Sequence, residues 1–374
     1  VKRKISYVLL IVSLCLVMAF PIPTMAATTS NSLKNINVLL DGQRIAFPDV
    51  WPQVDANKRV LIPIRVVSEN LGAKVDYEND KITIKQDDKV VVLTIGSKTA
   101  TVNGKAVTFD SAAVVNNSRT LVPLRFVSEA LSRRVVWDGA NNTAHIWNLI
   151  SDKTLEEESA KDWTEKSPAH VGYDHFTAKG GKLTFKDDLW DGPQGPFKDY
   201  KIGETITKDL AKKSYQLVKY LAGNEQYTDA RYFPTTSSGT PSSLAIYYAV
   251  NSRAINSDNY YFSFVFPEKT YYESFNSKKV SIRLVVNTLF WNEENNRNVK
   301  VENKLRMSLV SLFGDNEGIS IFNWVMDLYN KRISSVKEYE ALKKLKTTKN
   351  FGKYQVDFDG TGVNPLTFSF TLKG

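Results

Sequence analysis

One stretch occurs twice. Arg59-Val60-Leu61-Ile62-Pro63-Ile64-Arg65-Val66-Val67-Ser68-Glu69-Asn70-Leu71 returns as Arg119-Thr120-Leu121-Val122-Pro123-Leu124-Arg125-Phe126-Val127-Ser128-Glu129-Ala130-Leu131. Each copy predicts a short apolar strand, a proline, and a helix of about two and a half turns. Everything from residue 36 to residue 150 can be placed around these two units, which are expected to fold together.

Ile64, Val67 and Leu71 recur at i, i+3, i+7, as do Leu124, Val127 and Leu131, so each helix has one apolar stripe. Pro63 and Pro123 suit a first helical turn, where a missing N–H does no harm. Gly72 sits where a C-cap needs a left-handed residue; Ser132 holds the same place in the second copy. Arg65 with Glu69, and Arg125 with Glu129, are spaced as helix-face ion pairs. Asp41-Gly42 and Asn103-Gly104 each separate two extended runs, a hairpin signal. Further hairpins are expected around 78–80 and 138–142, and a central strand at Val90–Ile95.

The Arg-x-Leu-(Ile/Val)-Pro-(Ile/Leu)-Arg-x-Val-Ser-Glu-x-Leu repeat, followed by an aromatic-acidic hairpin, resembles the copper amine oxidase N-terminal-like, or stalk, domain of exported Gram-positive proteins. The resemblance covers about residues 36–148. It implies an α+β domain with an antiparallel sheet, serving as a spacer or interaction unit and carrying no catalytic residues. Oxidase chemistry itself needs three histidines on copper and a tyrosine that becomes a quinone. The chain has only His145, His170 and His175, with no His-x-His pair, and Asn259-Tyr260-Tyr261 is its nearest approach to the quinone motif. Amine oxidation is not expected, and no cofactor or metal is assigned.

Residues 1–26 carry the marks of a secretory signal: Lys2, Arg3 and Lys4, an apolar run Val8–Phe20, and small residues around Ala26. Cys15, the only cysteine, lies inside it, so a cleaved chain has no thiol and no disulfide. Cleavage removes three basic residues and leaves 46 basic against 40 acidic, a net of +6. Such a balance keeps the chain soluble and attracts anionic wall polymer or lipid headgroups weakly. No nucleic-acid reader motif is present. The expected location is secreted or cell-surface associated.

From Ser151 the pattern changes. Residues 151–203 read as a connector, with a capping box at Thr154/Glu157 and a strand at Lys182–Phe185. Residues 204–374 read as a second α+β domain. It has a helix at Thr207–Leu221, strands at 244–250, 260–266, 280–290, 354–358 and 366–372, an amphipathic helix around Phe322–Ile333, and another begun by Ser335/Glu338. Leu305–Phe313 fits strand and helix equally.

No constellation there forms a recognisable catalytic set. His170, Asp174 and His175 read as surface groups, and Asp357–Gly362 as a hairpin turn, because Phe368 stands where a calcium loop needs glutamate. The acidic clusters 156–158 and 293–294 read as solvated surface. Aromatic density is the more telling feature: Tyr247, Tyr248, Tyr260, Tyr261, Tyr271 and Tyr272 crowd the strands. Strand neighbours face opposite ways, so each Tyr-Tyr pair puts one ring on either face, and outward rings could stack on a ligand. Three readings stay open. The first is an exported non-enzymatic binding or scaffold protein whose partner is wall polymer, polysaccharide or another envelope protein. The second is a hydrolase of wall polymer or peptide. The third is a self-associating, homo-oligomeric surface protein.

Overall fold

The structure, a computed structural model, describes residues 36–148, strands at 176–179 and 182–185, parts of a helix between 210 and 221, and residues 228–373 except 234–242, 250–259, 268–281, 288–291, 294–295, 298 and 362–364. The signal segment, the capping box at Thr154, His170, Asp174, His175, the acidic cluster 156–158, Tyr271 and Tyr272 lie outside the described residues.

The N-terminal region runs β1 (Asn37–Leu40), β2 (Gln43–Arg44), β3 (Gln53–Val54), β4 (Val60–Pro63), α1 (Ile64–Asn70), β5 (Lys74–Glu78), β6 (Lys81–Gln86), β7 (Lys89–Thr94), β8 (Thr99–Val102), β9 (Lys105–Thr108), β10 (Val114–Asn116), β11 (Arg119–Pro123), α2 (Leu124–Ala130), β12 (Arg133–Asp138) and β13 (Thr143–Asn148). Both hairpin signals are realised: Asp41 and Gly42, and Asn103 and Gly104, all take positive φ, as a two-residue turn between twisted strands requires.

The two copies meet at their own repeated residues. β4 and β11 are antiparallel, with Leu61 opposite Pro123, Ile62 opposite Val122, and Pro63 opposite Leu121. Ile62 and Val122 are repeat equivalents, so a local two-fold axis passes between them. Both are fully buried beside Ile64, Val67, Leu124 and Val127 of the helices. The same symmetry crosses the charges: Arg59 of the first copy pairs with Asp110 of the second at 2.5 Å, and Arg119 of the second donates Nε to Asp49 of the first at 2.6 Å.

Strands are also exchanged. The β5–β6 hairpin of the first copy joins β8–β9 of the second through β7, which is the middle strand of a five-stranded sheet as expected. In the reciprocal exchange β12–β13 joins β1–β2 with no strand between, so β13 and β1 run parallel. That one parallel pair departs from the expected all-antiparallel pattern. It follows from the missing counterpart of β7.

Each repeat helix has seven residues, nearer two turns than two and a half, and its proline is the N-cap rather than the first helical residue. At the other end Gly72 has φ +86° and its N–H donates to the Glu69 carbonyl. Ser132 takes the same left-handed conformation, φ +58°, at the cost a Cβ imposes there. Ser132→Gly should therefore raise stability by about 0.5–1 kcal/mol, and Gly72→Ala should lower it by about 1 kcal/mol. Urea denaturation of the two variants checks both signs.

The C-terminal region adds β14 (Phe176–Lys179), β15 (Lys182–Phe185), β16 (Thr228–Phe233), β17 (Ser243–Ala249), β18 (Tyr260–Pro267), β19 (Ile282–Val286), β20 (Asn292–Glu293), β21 (Asn296–Arg297), α3 (Val299–Phe313), α4 (Asp315–Ser334), α5 (Val336–Leu342), β22 (Lys346–Phe351), β23 (Tyr354–Asp359) and β24 (Leu366–Leu372). Seven of these strands form one sheet in the order β16-β17-β18-β19-β24-β23-β22, every neighbour antiparallel. Its inner face presents Phe262, Phe264, Leu284, Phe368 and Phe370 to α3 and α4. The two helices cross closely: a Cβ on Gly318 would stand 2.4 Å from the Val310 Cα. The ambiguous stretch 305–313 is helix, and α3 is buried nearly all round, so no single apolar stripe marks it. Ser335 caps α5 as expected, accepting from the Glu338 N–H at 3.2 Å.

Candidate functional site: a two-faced hairpin and the outer sheet face

The β12–β13 hairpin has two buried faces. Pairing puts Val135 opposite Ile146 and Trp137 opposite Ala144 on one face; Arg134 with Trp147, Val136 with His145, and Asp138 with Thr143 make the other. Val135, Ala144 and Ile146 belong to the core of the repeat domain. Val136 and Trp147 belong to the core of the C-terminal sheet and helices. The first copy's equivalent hairpin shows the contrast. There the corresponding outward positions are Lys74, Asp76, Glu78, Lys81, Thr83 and Lys85, largely exposed. Polar residues replaced by Val136, His145 and Trp147 at matching positions are the signal that the second hairpin is covered.

α3 and α4 are the cover, and each reads both layers with adjacent residues. On α3, Asn303 accepts from the Trp147 indole N–H at 2.9 Å, while Lys304 donates Nζ to the Tyr248 hydroxyl of the sheet at 2.5 Å. On α4, Asn323 donates to Asp138 at 2.9 Å, while Trp324 packs edge-on against Phe368. Arg134 pairs with Asp315 at the start of α4. Gly42 is needed twice over, for φ +85° and because a Cβ would meet Asn303 at 3.1 Å.

Asp138 and His145 are the titratable heart of this junction, each 2% exposed. The Asp138 carboxylate accepts from the Asn141 and Asn323 side-chain amides and from the Ala140 and Asn141 backbone N–H groups. Burial raises its pKa, but His145, Asn141 and Asn323 together outweigh burial and hold it at about 2. His145 stacks on Trp147, ring centroids 5.4 Å apart. Its Nε2 lies 4.0 Å from Asp138, too far for a direct hydrogen bond, and neither ring nitrogen has a hydrogen-bond partner. Burial pushes the imidazole pKa down, and nearby Arg306 adds to that. Arg306 is itself paired with Glu302 at 2.9 Å. Among the described residues no group of three or more His, Cys, Asp or Glu side chains could hold a metal ion.

The tyrosines divide between the two faces of the sheet, and a β-bulge decides how. Tyr248 pairs with Phe262 and Ala249 with Tyr260, leaving Tyr261 as the extra residue. Strict alternation from Phe262 would turn Tyr260 inward. The bulge instead turns Tyr261 inward beside Tyr248, ring centroids 5.7 Å apart and both buried. Tyr260 meets Tyr247, centroids 4.9 Å apart and interplanar angle 67°. These two rings are half-buried, on the face away from α3. In register across that face lie Ser263, itself 1% exposed, then Val285 and Thr367, and one row further Arg283 and Ser369.

The other groups singled out by sequence are quieter. Arg65–Glu69 and Arg125–Glu129 are exposed helix-face pairs at 3.9 and 4.0 Å. Asp357 accepts from Thr348 on the neighbouring strand, and Asp359 accepts from the Thr361 N–H and pairs with Lys346 at 2.9 Å, as a hairpin end does. Lys346 and Thr361 hold the exposed Asp359 carboxyl at about 2.

A comparison with curated proteins finds no match to the chain. Residues 39–146 match the family model of the copper amine oxidase N-terminal domain, so the doubled unit at the start of the described chain is a domain of that family.

Proposed function

We propose that the chain is an exported, non-enzymatic binding or scaffold protein of a bacterial cell envelope. The repeat domain is its mount, and the C-terminal domain carries the binding face. The observation that carries this reading is the hairpin buried on both faces. Val135 and Ile146 serve one core while Val136 and Trp147 serve the other, so the mount fixes the position of what it holds. Exposed turns on a shared scaffold tolerate change, but an element shared by two cores does not swing.

The binding face we assign is the outer side of the seven-stranded sheet at Tyr247 and Tyr260. A half-buried edge-to-face ring pair, with Thr367 and Ser369 part-exposed further across the same face, offers an apolar platform with polar groups at its edge, which suits the face of a sugar ring or a flat polymer segment. Pelleting of the full chain with insoluble wall polymer and with polysaccharide tests this. The Tyr247→Ala/Tyr260→Ala double variant should bind about five- to tenfold more weakly while keeping the parent's far-UV circular dichroism. Tyr248→Phe, on the inner face, should bind as the parent does. Equal pelleting of parent and double variant would remove the tyrosine face from the account.

A further inference from the structure

We infer that the corner made by the end of α4, α5 and the start of β22 is a peripheral docking surface for an anionic lipid bilayer. α5 is held to its domain by buried Leu342 and half-buried Leu345. Its other side faces water, and Val336, its first residue, is 79% exposed, the most exposed large apolar side chain among the described residues. Ile333, at the end of α4, is 47% exposed. Tyr339 lies between two cations, with the Arg332 guanidinium 5.0 Å and the Lys343 ammonium 5.2 Å from its ring centroid.

The charge of this corner is positive. Residues 331–346 carry six basic side chains and two acidic ones, Glu338 and Glu340. Some of the cations are occupied: Lys331 pairs with Asp327, Lys343 with Glu340 and Lys346 with Asp359, all on the surface. Lys337 on α5 and Lys344 in the turn after it are exposed and make no ion pair among the described residues. Val336 and Lys337 are neighbours in the exposed first turn of the helix.

The apolar groups choose between two kinds of anionic partner. A soluble polyanion uses only the lysines and has no apolar phase to receive Val336 and Ile333. A bilayer interface has both, a plane of phosphates with the acyl boundary a few ångströms beneath it. Each lysine near an anionic surface is worth about fivefold in affinity. This surface is separate from the tyrosine face and stands or falls independently of it.

Co-sedimentation of the full chain with vesicles tests the assignment. Vesicles of mixed phosphatidylglycerol and phosphatidylcholine should bind the chain at low salt and release it at high salt, and pure phosphatidylcholine should bind it far less. Lys337→Gln/Lys344→Gln should weaken binding about 25-fold. Val336→Ser, at an exposed position that leaves folding intact, should weaken it about five- to tenfold. Equal binding to both vesicle types, or parent-like binding by both variants, overturns the proposal. So does equal affinity of parent and Val336→Ser for soluble polyphosphate at the level seen with vesicles, which would give the corner to an anionic polymer.

Discussion

Replacing Trp147 with alanine should cost about 3–5 kcal/mol of stability, the range for deleting a fully buried large aromatic. The indole is 2% exposed, stacks on His145, and donates its N–H to Asn303 at 2.9 Å. Truncation opens a cavity between the two cores and leaves the Asn303 carbonyl oxygen without that donor, so transfer, cavity and hydrogen-bond losses have the same sign. The repeat supplies its own control. Lys85 occupies the matching position on the first hairpin and is exposed, so Lys85→Ala should stay within about 0.5 kcal/mol of the parent. Chemical denaturation of the full chain, followed by tryptophan fluorescence and far-UV circular dichroism, reads both. A cost below about 1 kcal/mol for Trp147→Ala would mean that the hairpin is not shared between two cores.

The repeat domain was legible because its features are local. Asp41-Gly42 and Asn103-Gly104 specify their turns by backbone chemistry, and the Leu124/Val127/Leu131 stripe specifies a helix face by spacing alone. How the copies interlock was not legible. The pairing of Ile62 with Val122 and the parallel register of β1 with β13 are long-range choices, settled by which strand is available as a neighbour. In the C-terminal region the apolar strands stood out, but β22, Lys-Thr-Thr-Lys-Asn-Phe, did not. It is an edge strand, mostly exposed, and carries little apolar pattern. Leu305–Phe313 was undecidable because a helix covered on all sides loses its period. The tyrosines show the limit most sharply. Alternation correctly separates Tyr247 from Tyr248, but one extra residue in β18 reverses the assignment of Tyr260 and Tyr261, and nothing in the local sequence marks that bulge.

Acid should loosen the molecule at the junction in two successive windows. Below pH 6.5 an unfolded chain protonates its histidines, whereas the folded pKa of His145 is lowered by burial and by Arg306. The unfolded state thus binds more protons as pH falls from 6.5 toward that lowered value, and stability drops. Asp138 acts next. Its folded pKa is about 2 against an ordinary value of 3.8, so its contribution is complete above 3.8 and is lost as pH falls through 2. That difference corresponds to roughly 2–3 kcal/mol, and the group is buried enough for solvent screening to take little of it. Two variants separate the windows. His145→Phe keeps a flat ring against Trp147 but removes the imidazole that helps hold Asp138 low. It should start below the parent near pH 7.5 and lose less stability than the parent between pH 6 and 5. Asp138→Asn should cost about 2–3 kcal/mol at neutral pH and lose much less than the parent on further acidification toward pH 2. Urea midpoints at pH 7.5, 5.5, 4 and 2.5 for the three chains measure this. An Asp138→Asn profile parallel to the parent's below pH 4 would place the acid-sensitive carboxylate elsewhere, and with it the charge that ties β12 to Asn323 of α4.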